Sequence, residues 1–201
     1  APGSSTDFFL KYQLVKAGLK ADAAAVIGVG LGATAIAAME QGQIDAAVML
    51  DPAVTVLQTK YKDLTILSDT RTKKDTEAVF GGDYPGGAFY TRPEWMKAHP
   101  EETQALTNAM VATLKWIHSH SAEEIMAKMP ENLVGPHKDA YLAALKNTVP
   151  MYSTTGLMDP KGAEAVLDVF KVGSPDVAAA NIDITQTYTN DFAKKADAVV
   201  K

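Results

Sequence analysis

The chain is 201 residues long, 47% hydrophobic and 21% charged, enough to bury one sizeable core or two small ones and too apolar for intrinsic disorder. Nineteen basic side chains against 24 acidic leave a net charge of −5, the reverse of the cationic surplus that a phosphate backbone requires, so nucleic acid is not an expected partner. No apolar run approaches the roughly 18 residues of a membrane helix, since even residues 23–38 are broken by glycine and threonine.

Cysteine is absent. That excludes structural disulfides, thiol catalysis and thiolate metal sites, and it suits an export compartment where stray thiols oxidise. The first residue is alanine, with no basic stretch and apolar stretch before it, as expected of a chain whose signal peptide has been removed.

From the front, the turn Ala1-Pro2-Gly3-Ser4 passes into a helical pattern in which Phe8, Phe9, Tyr12, Val15 and Leu19 recur at three- and four-residue steps, with Ser4 and Asp7 spaced as a capping box. Residues 25–29 read as a short buried strand, and a second helix is expected over 33–41. Residues 44–50 form a near-continuous apolar run ending at Asp51-Pro52, the pattern of a parallel-sheet strand, and Pro52 opens a third helix. Further strands are predicted at 64–67 and, after the breaker-rich residues 81–87, at 88–91.

Beyond Arg92 the texture changes. No period-two segment is visible, and helices are predicted at 93–98, 100–118, 121–128, 137–148, 159–171 and 188–199, punctuated by Pro100, Pro130, Pro150 and Pro160. Leu106, Met110, Thr113, Leu114 and Ile117 share one face of the longest. Residues 172–180 read as a flexible link. The expectation is an α/β domain over 1–91 and an all-helical segment over 92–201.

Gly28-Val29-Gly30-Leu31-Gly32-Ala33 follows a predicted strand, opens a helix and fits the G-x-G-x-x-A dinucleotide fingerprint, with Asp45 and Asp51 downstream for a ribose hydroxyl. This is the alternative reading: a nucleotide-binding oxidoreductase domain. A tight connection and close helix packing account for the same glycines, and the remaining chain offers too few strands for a dinucleotide fold.

Several stretches together point elsewhere. They are Pro2-Gly3-Ser4-Ser5-Thr6-Asp7-Phe8-Phe9 with Lys16-Ala17-Gly18-Leu19, the small-residue run from Ala35 with Gln41-Gly42-Gln43-Ile44-Asp45-Ala46-Ala47, Leu50-Asp51-Pro52, and Arg92-Pro93-Glu94-Trp95 with His99-Pro100-Glu101. Thr154-Thr155-Gly156-Leu157-Met158 and the segment from Ile182 to Phe192 add to them. Taken in this order they resemble the later part of periplasmic solute-binding proteins of the nitrate, sulfonate and taurine type, which feed ABC importers.

The resemblance implies an α/β fold, a lobe like the type II periplasmic binding proteins, followed by helices that pack on a first lobe whose opening strands would precede Ala1. It implies no enzyme activity, no cofactor, a small anionic or polar organic solute as ligand, an ABC permease as partner and a periplasmic location. A chain lacking those strands is expected to self-associate through helix faces left uncovered. Leu50 stands where the family's W-D-P element carries tryptophan.

Ser4, Ser5 and Thr6 lie where a strand should end and a helix begin, the place where open α/β sheets collect ligands. One hydroxyl suffices for an N-cap, so three in a row point to an oxyanion ligand as well. Asp51 is explained by capping the helix that Pro52 opens, and its place in the W-D-P-like element makes it a further candidate ligand residue, although a carboxylate repels an anion. Tyr84 and Gly87 precede the presumed crossover strand, where a hinge needs backbone freedom and a cleft a hydroxyl. His118 and His120, two apart on one helix, point about 200° away from each other and do not chelate together; no nucleophile elbow and no metal motif is present.

Overall fold

The structure, a computed structural model, describes residues 1–200. Among the described residues twelve α-helices run in order: α1 (Ser5–Lys16), α2 (Ala33–Glu40), α3 (Ala53–Lys60), α4 (Lys73–Phe80), α5 (Pro93–Ala98), α6 (Pro100–Ser119), α7 (Ala122–Lys128), α8 (Glu131–Val134), α9 (Lys138–Thr148), α10 (Pro160–Gly173), α11 (Pro175–Ala179) and α12 (Asp191–Val199). Short 3-10 turns cover Val149–Met151 and Ile184–Gln186.

No strand forms among the described residues, which overturns the expected α/β class and the type II binding-protein lobe. Residues 25–29, 44–50, 64–67 and 88–91 carry no regular secondary structure, and their backbone groups join no inter-strand ladder. Apolar runs bounded by glycine and proline predicted buried strands there. A strand, however, exists only as a paired object with partners beside it and a covered face. Here Ile27 is 59% exposed, Leu67 85% and Tyr90 89%.

The helices follow their local chemistry closely. Pro100 fills the first position of α6, where the missing N–H costs nothing, while Glu101 and Glu102 lie at its positive end and His118 at its negative one. Ser121 and Glu124 close a reciprocal capping box on α7, Ser121 Oγ accepting the Glu124 N–H at 3.2 Å and Glu124 Oε2 accepting the Ser121 N–H at 2.8 Å. Three helices escaped the sequence reading. α4 is polar over its first five residues and starts after Thr72, whose hydroxyl accepts the Asp75 N–H. α8 spans a single turn. α11 occupies the segment read as a flexible link, with Ser174 as its cap and Pro175 at its first position.

The chain forms two compact units, one of residues Ala1–Ser68, Val134–Ala144 and Leu167–Ile182, the other of Asp69–Leu133, Leu145–Val166 and Asp183–Lys201. In the first, the buried side chains of α2 and α3 are small: Ala35, Ala38 and Ala53, with Leu57 the one large contributor. Small residues let the two helix backbones approach, and Glu40 at the end of α2 takes both the Lys60 ammonium and, at 3.1 Å, the Tyr61 hydroxyl from the end of α3. Elsewhere in this unit Phe8 of α1 meets Phe170 of α10 edge-on, ring centres 5.1 Å apart. A β-carbon on Gly173 would lie 2.3 Å from the Phe8 ring. Glycine is therefore required there by space.

In the second unit α12 packs along α6. Ala193 and Ala196 of α12 are buried, as is Val111 of α6. Polar contacts fix the pair at both ends. Gln104 Nε2 donates to the Phe192 carbonyl at 2.9 Å. Lys115 Nζ donates to the carbonyls of Asp197 and Val200 at 3.0 and 2.6 Å and pairs with the Asp197 carboxylate at 2.9 Å, a cation at the end of α12 where carbonyls lack partners. Asn190, which precedes α12, accepts the Met158 N–H at 2.8 Å and donates to the Met158 carbonyl at 3.0 Å.

Gly173→Ala is expected to lower stability by about 1 to 3 kcal/mol, the usual cost of overpacking, with partial recovery when Phe8→Leu is added; thermal melts of the single and double variants check this. Lys115→Met should cost about 1 to 3 kcal/mol. Hydrogen exchange would register that loss in the α12 amides, with those of α2 and α3 unchanged.

Candidate functional site

The first turn of α1 gathers the polar residues singled out by sequence. Ser4, in extended backbone, is the N-cap: its hydroxyl accepts the Asp7 N–H at 3.4 Å and shares a hydrogen bond with the Thr6 hydroxyl at 2.9 Å. Asp7 returns the reach one residue further than a capping box would, Oδ2 accepting the Gly3 N–H at 2.8 Å. Ser5 is exposed and its hydroxyl bonds to no described residue; the backbone N–H groups of Ser5 and Thr6 likewise find no acceptor among the described residues. Two N–H groups and one hydroxyl at the positive end of a twelve-residue helix thus remain open to a ligand.

Asp7 is the residue whose role the sequence understated. It is 3% exposed, and its Oδ2 also receives the Lys11 ammonium at 2.8 Å, while Oδ1 is buried without a hydrogen-bond partner. Burial pushes this carboxyl upward, but the Lys11 hydrogen bond and the Gly3 N–H pull harder, and its pKa lies below the ordinary 3.8. The four-residue spacing of Asp7 and Lys11 was visible in the sequence. The burial was not.

The glycine loop takes a left-handed path that explains its composition. Gly30 has φ +75°, and a side chain there would lie 2.6 Å from the Thr34 hydroxyl; Gly32, the N-cap of α2, sits at φ +62°, ψ −127°, a conformation open in practice to glycine alone. Beside it is a cavity of about 210 Å³ lined by Leu31, Gly32 and Ala35 on one side and residues 49–53 on the other. Asp51 is its charged residue, and no basic residue lines it. A pyrophosphate at this loop would meet a carboxylate and no side-chain cation.

Asp51 joins Pro52 through a cis peptide bond, and its Oδ1 accepts both the N–H and the hydroxyl of Thr55, at 3.0 and 2.9 Å. Pro52 stands at the N-cap rather than inside the helix, so Asp51 caps α3 from one position further out.

Tyr84 and Gly87 belong to the second unit, whereas Ser4, Ser5, Thr6 and Asp51 belong to the first. Tyr84 stacks on Phe80 at the end of α4, ring centres 4.0 Å apart and planes 18° from parallel. Gly87 is exposed, with open space where a side chain would stand. Three of the four histidines make separate contacts. His99 and His120 stack on Trp95 and Trp116, and His118 Nε2 lies 2.9 Å from the Tyr152 carbonyl. Among the described residues no cluster of three or more histidine or acidic side chains could hold a metal ion.

Residues 1–130 match the NMT1-like family, and the chain belongs to it. A solved structure of a protein from Bordetella bronchiseptica RB50 is similar to the chain, with a TM-score of 0.89 and 39% identity. The likeness covers 98% of this chain and 62% of that one, so the chain spans about three fifths of this relative's length. No curated protein matches the chain.

Because the pKa of Asp7 is lowered on folding, its contribution to stability is full above the unfolded value and is lost as pH falls through the folded one. Thermal melts of the protein and of Asp7→Asn between about pH 6 and about pH 2 should therefore converge at the acid end and separate above roughly pH 4, the variant being the less stable.

Proposed function

We propose that this chain is the solute-binding part of an ABC importer, capturing a small anionic or polar organic solute such as a sulfonate, carboxylate or nitrate in the periplasm and presenting it to a membrane permease. Membership in the NMT1-like family supports a binding role, and the absence of cysteine suits export. The observation that carries the anionic preference is the opening of α1. Its cap is satisfied by Ser4, so the Ser5 hydroxyl and the N–H groups of Ser5 and Thr6 are surplus to helix stability. Such donors at a helix start are suited to an oxyanion and cost no side-chain charge.

In this reading Ser5 and Thr6 hold the anion directly, with Ser4 fixing the turn. Asp51, in the same unit, remains a candidate for contacts to the rest of the solute. Asp51, a carboxylate that accepts from Thr55, suits a hydroxyl or amino group better than the anionic end.

Calorimetric titration with alkanesulfonates, short carboxylates, nitrate and bicarbonate tests the proposal. Saturable binding of at least one is expected. Replacing Ser5 and Thr6 together by alanine should then weaken it by about 1 to 3 kcal/mol, the scale of hydrogen bonds to a charged group, with the melting temperature nearly unchanged because Ser4 still caps. A double variant that melts early and binds as before would make these residues caps only. Absence of binding across the whole set would remove the anionic solute.

A further inference from the structure

Every sulfur in this chain is a thioether, since the sequence holds eight methionines and no cysteine. A two-electron oxidant such as hydrogen peroxide therefore has methionine as its sulfur target, and the fold ranks the eight by access. Met110 of α6 is the most exposed at 47%, followed at 36% by Met151, which ends the 3-10 turn Val149–Met151. Met39, Met49, Met96, Met126, Met129 and Met158 are all half-buried.

The place of Met110 on its helix makes oxidation there tolerable. Its side chain stands roughly 120° and 140° round α6 from Gln104 and Lys115, which bind α12. Leu106 and Thr113, one turn to either side, are exposed as well, so the surface around the sulfur is open to solvent. A sulfoxide at Met110 is hydrated and leaves the contact with α12 alone. At Met158, half-buried and held by Asn190 at both its N–H and its carbonyl, the same dipole would be forced on a fixed segment.

We propose that Met110 is a modification site, the position at which this protein takes up peroxide as methionine sulfoxide with its fold intact. The sulfur lone pair attacks one peroxide oxygen, and an S–O bond forms as the O–O bond breaks. The other oxygen leaves as water, having taken the proton of the transferred hydroxyl. Sulfur gives up two electrons and the peroxide gains them. Because the product is exposed, methionine sulfoxide reductases can reach it, which makes the modification reversible.

The folded protein is treated with excess hydrogen peroxide, quenched at intervals and digested, and each methionine peptide is weighed. Met110 should gain its oxygen first, roughly threefold or more ahead of every half-buried methionine. In denaturant the eight should react within about twofold of one another, because the fold sets the ranking. While Met110 alone is modified the melting temperature should equal that of untreated protein, whereas full oxidation should lower it. Both epimer-specific reductases together should return the Met110 peptide to its unoxidised mass. Met110→Leu, a volume-conserving change at an exposed position, should remove the fast phase of oxygen uptake with an unchanged circular dichroism spectrum.

Earlier oxidation of any other methionine would overturn the proposal. So would the same ranking in denaturant, or a melting temperature already lowered when Met110 alone is modified. A Met110 sulfoxide that the reductases leave untouched, or a fast phase that survives in Met110→Leu, would overturn it equally.

Discussion

Every helix in this protein begins with N–H groups that its own ladder cannot use, and the way each start satisfies them governs much of the rest. Ser121 with Glu124, Thr72 with Asp75 and Ser174 with Val177 are local solutions, made within one turn. Asp51 reaches past Pro52 to Thr55 and so ties an irregular segment to α3. Ser4 and Asp7 satisfy one N–H each on the two sides of the α1 start and leave those of Ser5 and Thr6 unclaimed. The starts of α2, α5, α6 and α12 carry no side-chain cap bond, so incomplete capping by itself does not set α1 apart; its surplus hydroxyl does.

Packing is the second constraint, and it is met with small residues. The buried positions of α2, α3 and α12 are mostly alanine, which brings helix backbones close but leaves few large side chains to absorb error. Gly173 against Phe8 is the tightest case. The contacts at the two ends of α12, from Gln104 and Lys115, supply directional definition that alanine cannot.

Helices were legible because their signals are local. Pro93, Pro100 and Pro160 mark starts, and apolar residues three and four apart mark lengths, so α5, α6 and α9 fall within a residue or two of expectation. α4 was missed because Lys73 to Phe80 carries almost no apolar stripe, although Thr72 with Asp75 was a readable cap. The strands failed for a different reason. An apolar run such as 44–50 states that a segment prefers burial, and it cannot state whether a neighbouring strand exists to bury it. At the site, the Ser4 cap was visible as spacing, whereas the burial of Asp7 and the cavity beside Leu31 depend on segments distant in sequence or on the path of the backbone.

The Asp7–Lys11 pair has a kinetic consequence. Its ammonium is the side-chain cation bound within the α1 turn, and it is already committed to a carboxylate. An anion approaching that turn is met by N–H dipoles, whose field dies away within a turn of helix, on a molecule whose net charge of −5 repels it from afar. If the proposed anion site is used, capture there would lack the electrostatic acceleration of a cationic funnel. Raising the ionic strength would screen the repulsion and leave the short-range grip intact, so association would hold or quicken in salt where most anion receptors slow.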